Sequence, residues 1–142
     1  MQIEKANNYR DSMIRLLEAE ELPVADLPED LANFLIARHE NEVVGAVGLE
    51  IHGNFGLLRS LAVHPDFRNQ GIAGKLMRRI DALSSLTNLT DLFLLTETAM
   101  DYFIRKGYEI IDRQETPEAI KQSSEFRHVC PVSAIVMRKA IS

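Results

Sequence analysis

Apolar residues along this chain change their spacing from one stretch to the next, and that spacing predicts the elements. "IEKA", beginning at Ile3, reads as a short strand. "NNYRDSMIRLLEAEEL" reads as a helix with Met13, Leu16 and Leu17 on one stripe. Two prolines in "PVADLPED" end it, and Pro28 with Glu29 and Asp30 suits the start of a short helical turn. "FLIAR", "VVGAVGLEI" and "FGLLRSLAV" are strands, and the turns "HENE" and "HGN" between them predict an antiparallel meander. Gly45 and Gly48 inside the middle strand point to a bulge or a close backbone approach.

Ile72, Leu76, Ile80 and Leu83 then recur at steps of four, four and three, so a helix there buries one face. "DLFLLT" is nearly all apolar, as a strand buried on both faces of a parallel pair would be. "ETAMDYFIRKGYEII" predicts a helix that Gly107 closes, with Arg105 and Lys106 in its last turn and a strand from Tyr108. "TPEAIKQSSEF" opens a further helix with Thr116 as N-cap and Pro117 at the first helical position. "SAIVMRKAI" is the closing strand. The predicted order is β-α-α-β-β-β-α-β-α-β-α-β, an α+β layout with a mostly antiparallel sheet.

At 142 residues the chain suits a single domain over 1–142, with one sizeable core. Its hydrophobic fraction of 46% and charged fraction of 26% exclude a disordered or low-complexity chain. No apolar run reaches bilayer length, and "MQIEKANNYR" lacks a signal-peptide core, so a soluble cytoplasmic protein is expected. The single cysteine, Cys130, excludes an intrachain disulfide and reads as a buried structural thiol before a nucleophile. A net charge of −5 argues against general nucleic-acid binding. It leaves room for a local basic pocket, and Arg59, Arg68, Lys75, Arg78 and Arg79 fall close together. His39, His52, His64 and His128 show no metal-ligand spacing, so no metal is expected.

The segment "HPDFRNQGIAGKLMRRI" places Gly71 and Gly74 at a helix start, where glycine weakens the helix. The N–H groups from Gln70 to Gly74 share one direction and the positive end of the helix dipole, which suits phosphate oxygens. A tight strand-to-helix turn is the alternative. The spacing fits neither a Walker loop nor a dinucleotide fingerprint.

With its flanks, "LRSLAVHPDFRNQGIAGKLM" resembles the signature of the GNAT N-acetyltransferases, Arg/Gln-x-x-Gly-x-Gly/Ala after a strand. Arg68, Gly71 and Ala73 fill its fixed positions. "FLIARHENEVVGAVGLE" and "AMDYFIRKGYE" extend the likeness over nearly the whole chain. The resemblance implies the GNAT fold, a mostly antiparallel central sheet of about six to seven strands flanked by helices on both faces. It implies acetyl-CoA as cosubstrate with no metal. The pyrophosphate would rest on Arg68, Asn69, Gln70, Gly71, Ile72, Ala73 and Gly74, and the pantetheine arm on the backbone of Leu61, Ala62 and Val63. Transfer would proceed by direct attack of an amine on the thioester, without an acetyl-enzyme.

The chain departs from the family pattern where a base and an acid are common. Leu57 stands at the usual glutamate position, and in "YFIRKGY" Phe103 stands at the usual tyrosine position with Tyr102 before it. Glu50 and Glu97 remain as candidates for a base acting through water, or are salt-bridged surface carboxylates. Strand alternation puts Leu57, Arg59, Leu61 and Val63 on one face. Arg59 there would grip an acidic group on the acceptor or pair with Glu50 or another neighbour.

"LLTETAMDYFIRKGYEIIDRQETPEAI" resembles the acetyltransferase domain of N-acetylglutamate synthases. "SSEFRHVCPVSAIVMRKAI" is similar to the tails of acetyltransferases linked to arsenical resistance. Both imply an amino-acid-like acceptor. Arg59 and Arg127 would hold its acidic groups, and Glu125, Ser133 or Cys130 would line its pocket, unless the tail is a structural cap. The partner implied is a small-molecule amine, with no nucleic acid or membrane, and an exposed sheet edge would suit a homodimer. The competing readings are a non-catalytic acyl-CoA-binding sensor and a protein or polyamine N-acetyltransferase.

Overall fold

The computed structural model describes residues 1–129 and 133–141. Strand β1 (Gln2–Lys5) passes through a 3-10 turn into α1 (Arg10–Ala19), which buries Met13, Leu16 and Leu17 as the periodicity predicts. Glu21, at φ 60, takes the left-handed conformation just past its end. The helical turn expected at Pro28 is absent, because the local polar groups favour another arrangement. The Asp30 carboxylate accepts the Ala32 N–H at 2.9 Å, and Arg10 donates to the Pro28 carbonyl at 2.7 Å.

Strands β2 (Phe34–His39), β3 (Glu42–His52) and β4 (Phe55–Val63) form the expected meander. Gly48 is a close approach, since a Cβ there would lie 2.2 Å from the Phe34 ring. The β2–β3 register slips between Ala37 and Arg38. Helix α2 (Ile72–Leu86), β5 (Asp91–Thr96), α3 (Met100–Arg105) and β6 (Glu109–Ile111) follow. Gly107, at φ 94, closes α3 in the conformation that glycine adopts at least cost.

Helix α4 is shorter and later than its pattern suggests, Glu118–Lys121 with Pro117 as N-cap. Asp112 and Glu115 close a capping box around the preceding 3-10 turn, and Thr116 is the buried residue that ends that turn. A π-type turn over Glu125–Val129 leads towards β7 (Ile135–Ala140).

The seven strands order as β1-β2-β3-β4-β5-β7-β6, a mostly antiparallel open sheet in an α+β fold. The β4–β5 pair is parallel, while β5 runs antiparallel to β7 from Asp91↔Ala140 to Thr96↔Ile135. Two compact units divide the chain. The first, Met1–Leu49 with Arg59–Leu83, has a core built on Met13, Leu17, Leu31, Phe34 and Ile36. The second, Glu50–Leu58 with residues 84 onward, centres on Leu57, Phe93 and Ile120. No helix among the described residues is long and apolar enough to cross a membrane.

Candidate functional site

The first unit contains the strand–loop–helix segment. Strand β4 does not keep one alternation through its length, because Ser60 sits at φ 60, a left-handed conformation inside a strand. Leu57, Arg59, Leu61 and Val63 therefore do not share a regular face. Beyond Ser60, Ala62 is buried in the core while Leu61 and Val63 are partly exposed. The strand's end is tied down by the His64 N–H, which donates to the Val44 carbonyl at 2.8 Å.

His64 then caps a 3-10 turn, Pro65–Phe67, its Nδ1 accepting the Asp66 N–H at 3.1 Å. Asn69 at φ 64 and Gly71 at φ 78 turn the chain twice into α2. Alternating left-handed residues aim successive N–H groups to one side, the geometry of an anion nest. Among the described residues, the N–H groups of Asn69, Gln70, Gly71, Ile72, Ala73 and Gly74 have no acceptor. The first N–H beyond them to find one is Lys75, which donates to Gly71 at 3.1 Å. A Cβ at Gly71 would touch nothing within 4 Å, so the backbone conformation, not crowding within the chain, requires glycine there. Gly74 lies inside the first turn of α2.

Two contacts fix this loop. Ile72, only 3% exposed, settles over β3 because Gly45 has no side chain; a Cβ at 45 would be 3.0 Å from Ile72 Cγ2. Arg68 donates from Nε to the Val63 carbonyl at 3.2 Å and forms an ion pair with Glu20 just past α1. Its side chain is a brace for the loop. A cavity of about 640 Å³ lies beside this brace, between Ser12, Arg15 and Glu20 on one side and Glu42, His64 and Asp66 on the other. None of the residues predicted to form the site lines it.

Arg59, predicted to face an acceptor, is 4% exposed and holds Asp26 in a two-pronged ion pair. Both guanidinium–carboxylate distances are 2.7 Å. Burial alone would raise the Asp26 carboxyl, but hydrogen bonding and the charge of Arg59 outweigh it and hold it below its ordinary value. Arg59 also donates from Nε to the Ser60 hydroxyl at 3.3 Å. Asp26 belongs to no motif in the sequence. The one signal was an acidic residue between two prolines, upstream of a lone arginine in an apolar strand.

The second unit holds the remaining candidates. Glu50 pairs with His52 at 3.0 Å, two residues along β3, and both are partly buried. Glu97 is exposed just after β5, where the Thr96 hydroxyl accepts the Ala99 N–H at 3.0 Å. Phe103 is buried between the rings of Tyr102 and Tyr108. The Tyr102 hydroxyl is buried with no hydrogen-bond partner among the described residues, and burial raises its pKa.

Of the tail residues, Glu125 is buried at the start of the π-type turn, whereas Arg127 is exposed and donates to Gln122 at 3.1 Å. Ser133 is exposed, and Cys130 lies outside the described residues. Arg113 stacks on Phe126 at 4.8 Å and donates to the Ala134 carbonyl at 2.9 Å, anchoring the tail segment. Among the described residues no group of His, Cys, Asp or Glu is arranged to hold a metal.

Strand β4 of an open α+β sheet thus leads into a helix start whose N–H groups are left without acceptors among the described residues. The chain belongs to the acetyltransferase (GNAT) domain family, whose model matches residues 30–110. It is 30% identical over 98 residues to an uncharacterized N-acetyltransferase of Chlorobaculum tepidum, an alignment covering 68% of this chain and 63% of that protein. It is 28% identical over 121 residues to the amino-acid acetyltransferase of Escherichia coli K12, covering 81% of this chain and 27% of that one. The chain thus spans less than two thirds of the length of these relatives. N-acetylglutamate synthase from Neisseria gonorrhoeae, solved with coenzyme A and N-acetyl-glutamate, superposes with a TM-score of 0.81 at 18% identity. That match covers 99% of this chain and 35% of the synthase.

Proposed function

We propose that this chain is an acetyl-CoA-dependent N-acetyltransferase acting on the primary amine of a small, amino-acid-like molecule. The observation that carries the proposal is the row of N–H groups from Asn69 to Gly74 without acceptors among the described residues. A run of helix-start donors without acceptors among the described residues, preceded by two left-handed residues, suits an anion such as a pyrophosphate. The relatives named amino-acid acetyltransferase and the synthase solved with coenzyme A support this choice of anion and of acceptor class.

In the proposed reaction the neutral amine nitrogen attacks the thioester carbonyl carbon, the C–S bond breaks, and the thiolate leaves with the electron pair. The amine's proton must go to a base. Glu50 suits that role better than Glu97, because its contact with His52 offers a route for the proton to solvent, directly or through water. The backbone of Leu61, Ala62 and Val63 is proposed to accompany the pantetheine arm. Arg59, Glu125, Arg127 and Ser133 are proposed to recognise the acceptor. For Arg59 this requires the acceptor's carboxylate to share or replace the contact now made by Asp26. The protein is proposed to work in the cytoplasm, with a homodimer through a sheet edge as one form.

Release of free thiol from acetyl-CoA, followed with amino acids, phosphinothricin-like compounds and polyamines, tests the proposal. Acceptor-dependent release with the first two is expected. Stabilisation by acetyl-CoA without release from any amine would sink the catalytic reading in favour of an acyl-CoA sensor.

A further inference from the structure

The N-terminal half of α2 carries a charge pattern that helix formation disfavours. Lys75, Arg78 and Arg79 stand three and four residues apart and share one face. Like charges at that spacing repel, and cations near a helix N-terminus oppose its dipole. No acidic residue in the first turn offsets them. Among the described residues, none of the three side chains makes an ion pair or hydrogen bond. The chain as a whole is acidic, at −5, so this is no sample of a generally basic surface.

All three cations line one open depression of about 340 Å³, with Ile3 of the edge strand β1 and Met1 also in its lining. Two planar guanidinium groups and one ammonium in a concave site match several phosphate oxygens, which the arginines can take in pairs. Ile3 and Met1 supply an apolar wall for the rest of a small molecule. We infer that this depression is a second anion site, separate from the loop at 69–74, which takes a small molecule carrying two or more phosphate groups. It lies wholly within the first unit and is independent of the acceptor and of the acetyl-transfer chemistry.

Titration calorimetry of the full chain with inorganic tripolyphosphate, at physiological salt and with coenzyme A saturating, reads this site directly. Binding that survives coenzyme A and weakens at least tenfold in the double variant Arg78→Ala/Arg79→Ala is the expected result. Gly71→Glu should leave it intact. These arginines are exposed, so the double variant keeps its fold, which its melting curve checks. Three results would overturn the inference. The first is no binding to the parent chain. The second is loss of tripolyphosphate when coenzyme A is added, which would give the cations to the cofactor's own phosphate. The third is equal weakening by the exposed control Lys5→Ala.

Discussion

Two polar features of the first unit are opposite in kind. In the loop from Asn69 to Gly74, successive donors have no acceptors among the described residues. At Arg59 the donors are buried and engaged by Asp26 on two prongs. The loop's open donors cost little, because they are backbone groups near water. The arginine is a full charge nearly out of contact with solvent, and leaving it unpaired would cost far more. One region therefore leaves hydrogen-bonding capacity open, while the other spends its own within the fold.

The sharpest way to break this contrast is Asp26→Ala. Removing the carboxylate takes both short charged contacts away from a buried guanidinium, and a loss of about 3–5 kcal/mol in unfolding free energy is expected by urea denaturation. A loss below about 1 kcal/mol would mean that Arg59 does not depend on Asp26, and the two regions would not differ as described. Gly71→Glu comes next. A side chain at φ 78 carries a left-handed cost of about 1–2 kcal/mol, and its charge opposes a phosphate. Affinity for acetyl-CoA, measured by calorimetry, should fall at least tenfold with little change in any acceptor-side property.

The pH dependence of stability sharpens the comparison further. Asp26 releases its proton more readily in the folded chain than in the unfolded one. Its contribution is therefore complete above the ordinary carboxylate value and declines as pH falls through the lower folded value. The stability gap between the parent chain and Asp26→Asn should narrow in acid, and a gap that widened there would contradict the pairing. The smallest effect is expected for Arg68→Ala. That ion pair is half exposed on the arginine side, at 53%, so global stability should drop by less than about 1 kcal/mol. Acetyl-CoA affinity should weaken more noticeably, because the brace on the loop is gone.

How much of this was legible in the residues follows from the range of each interaction. The four-four-three spacing of Ile72, Leu76, Ile80 and Leu83 declares α2 from within a single helix, and Gly71 declares its turn from within a single loop. Asp26 is 33 residues from Arg59, and no local pattern joins them. Ser60 sits inside the apolar run "FGLLRSLAV" with no glycine or proline beside it, so its left-handed backbone leaves no mark in the sequence, nor does the break in strand alternation. At Pro28 and Thr116 the helix-start signals were real, but nearby polar groups used them differently. Asp30 folded back on Ala32, and Asp112 with Glu115 capped the turn before α4.

Ser60 also has a bearing on how this chain can change. A serine held at φ 60 stores about 1 kcal/mol or more that a glycine would not, and its hydroxyl recovers part of that through Arg59. Ser60→Gly is thus a substitution open to drift on stability grounds, though it would loosen β4 beside the Arg59–Asp26 pair.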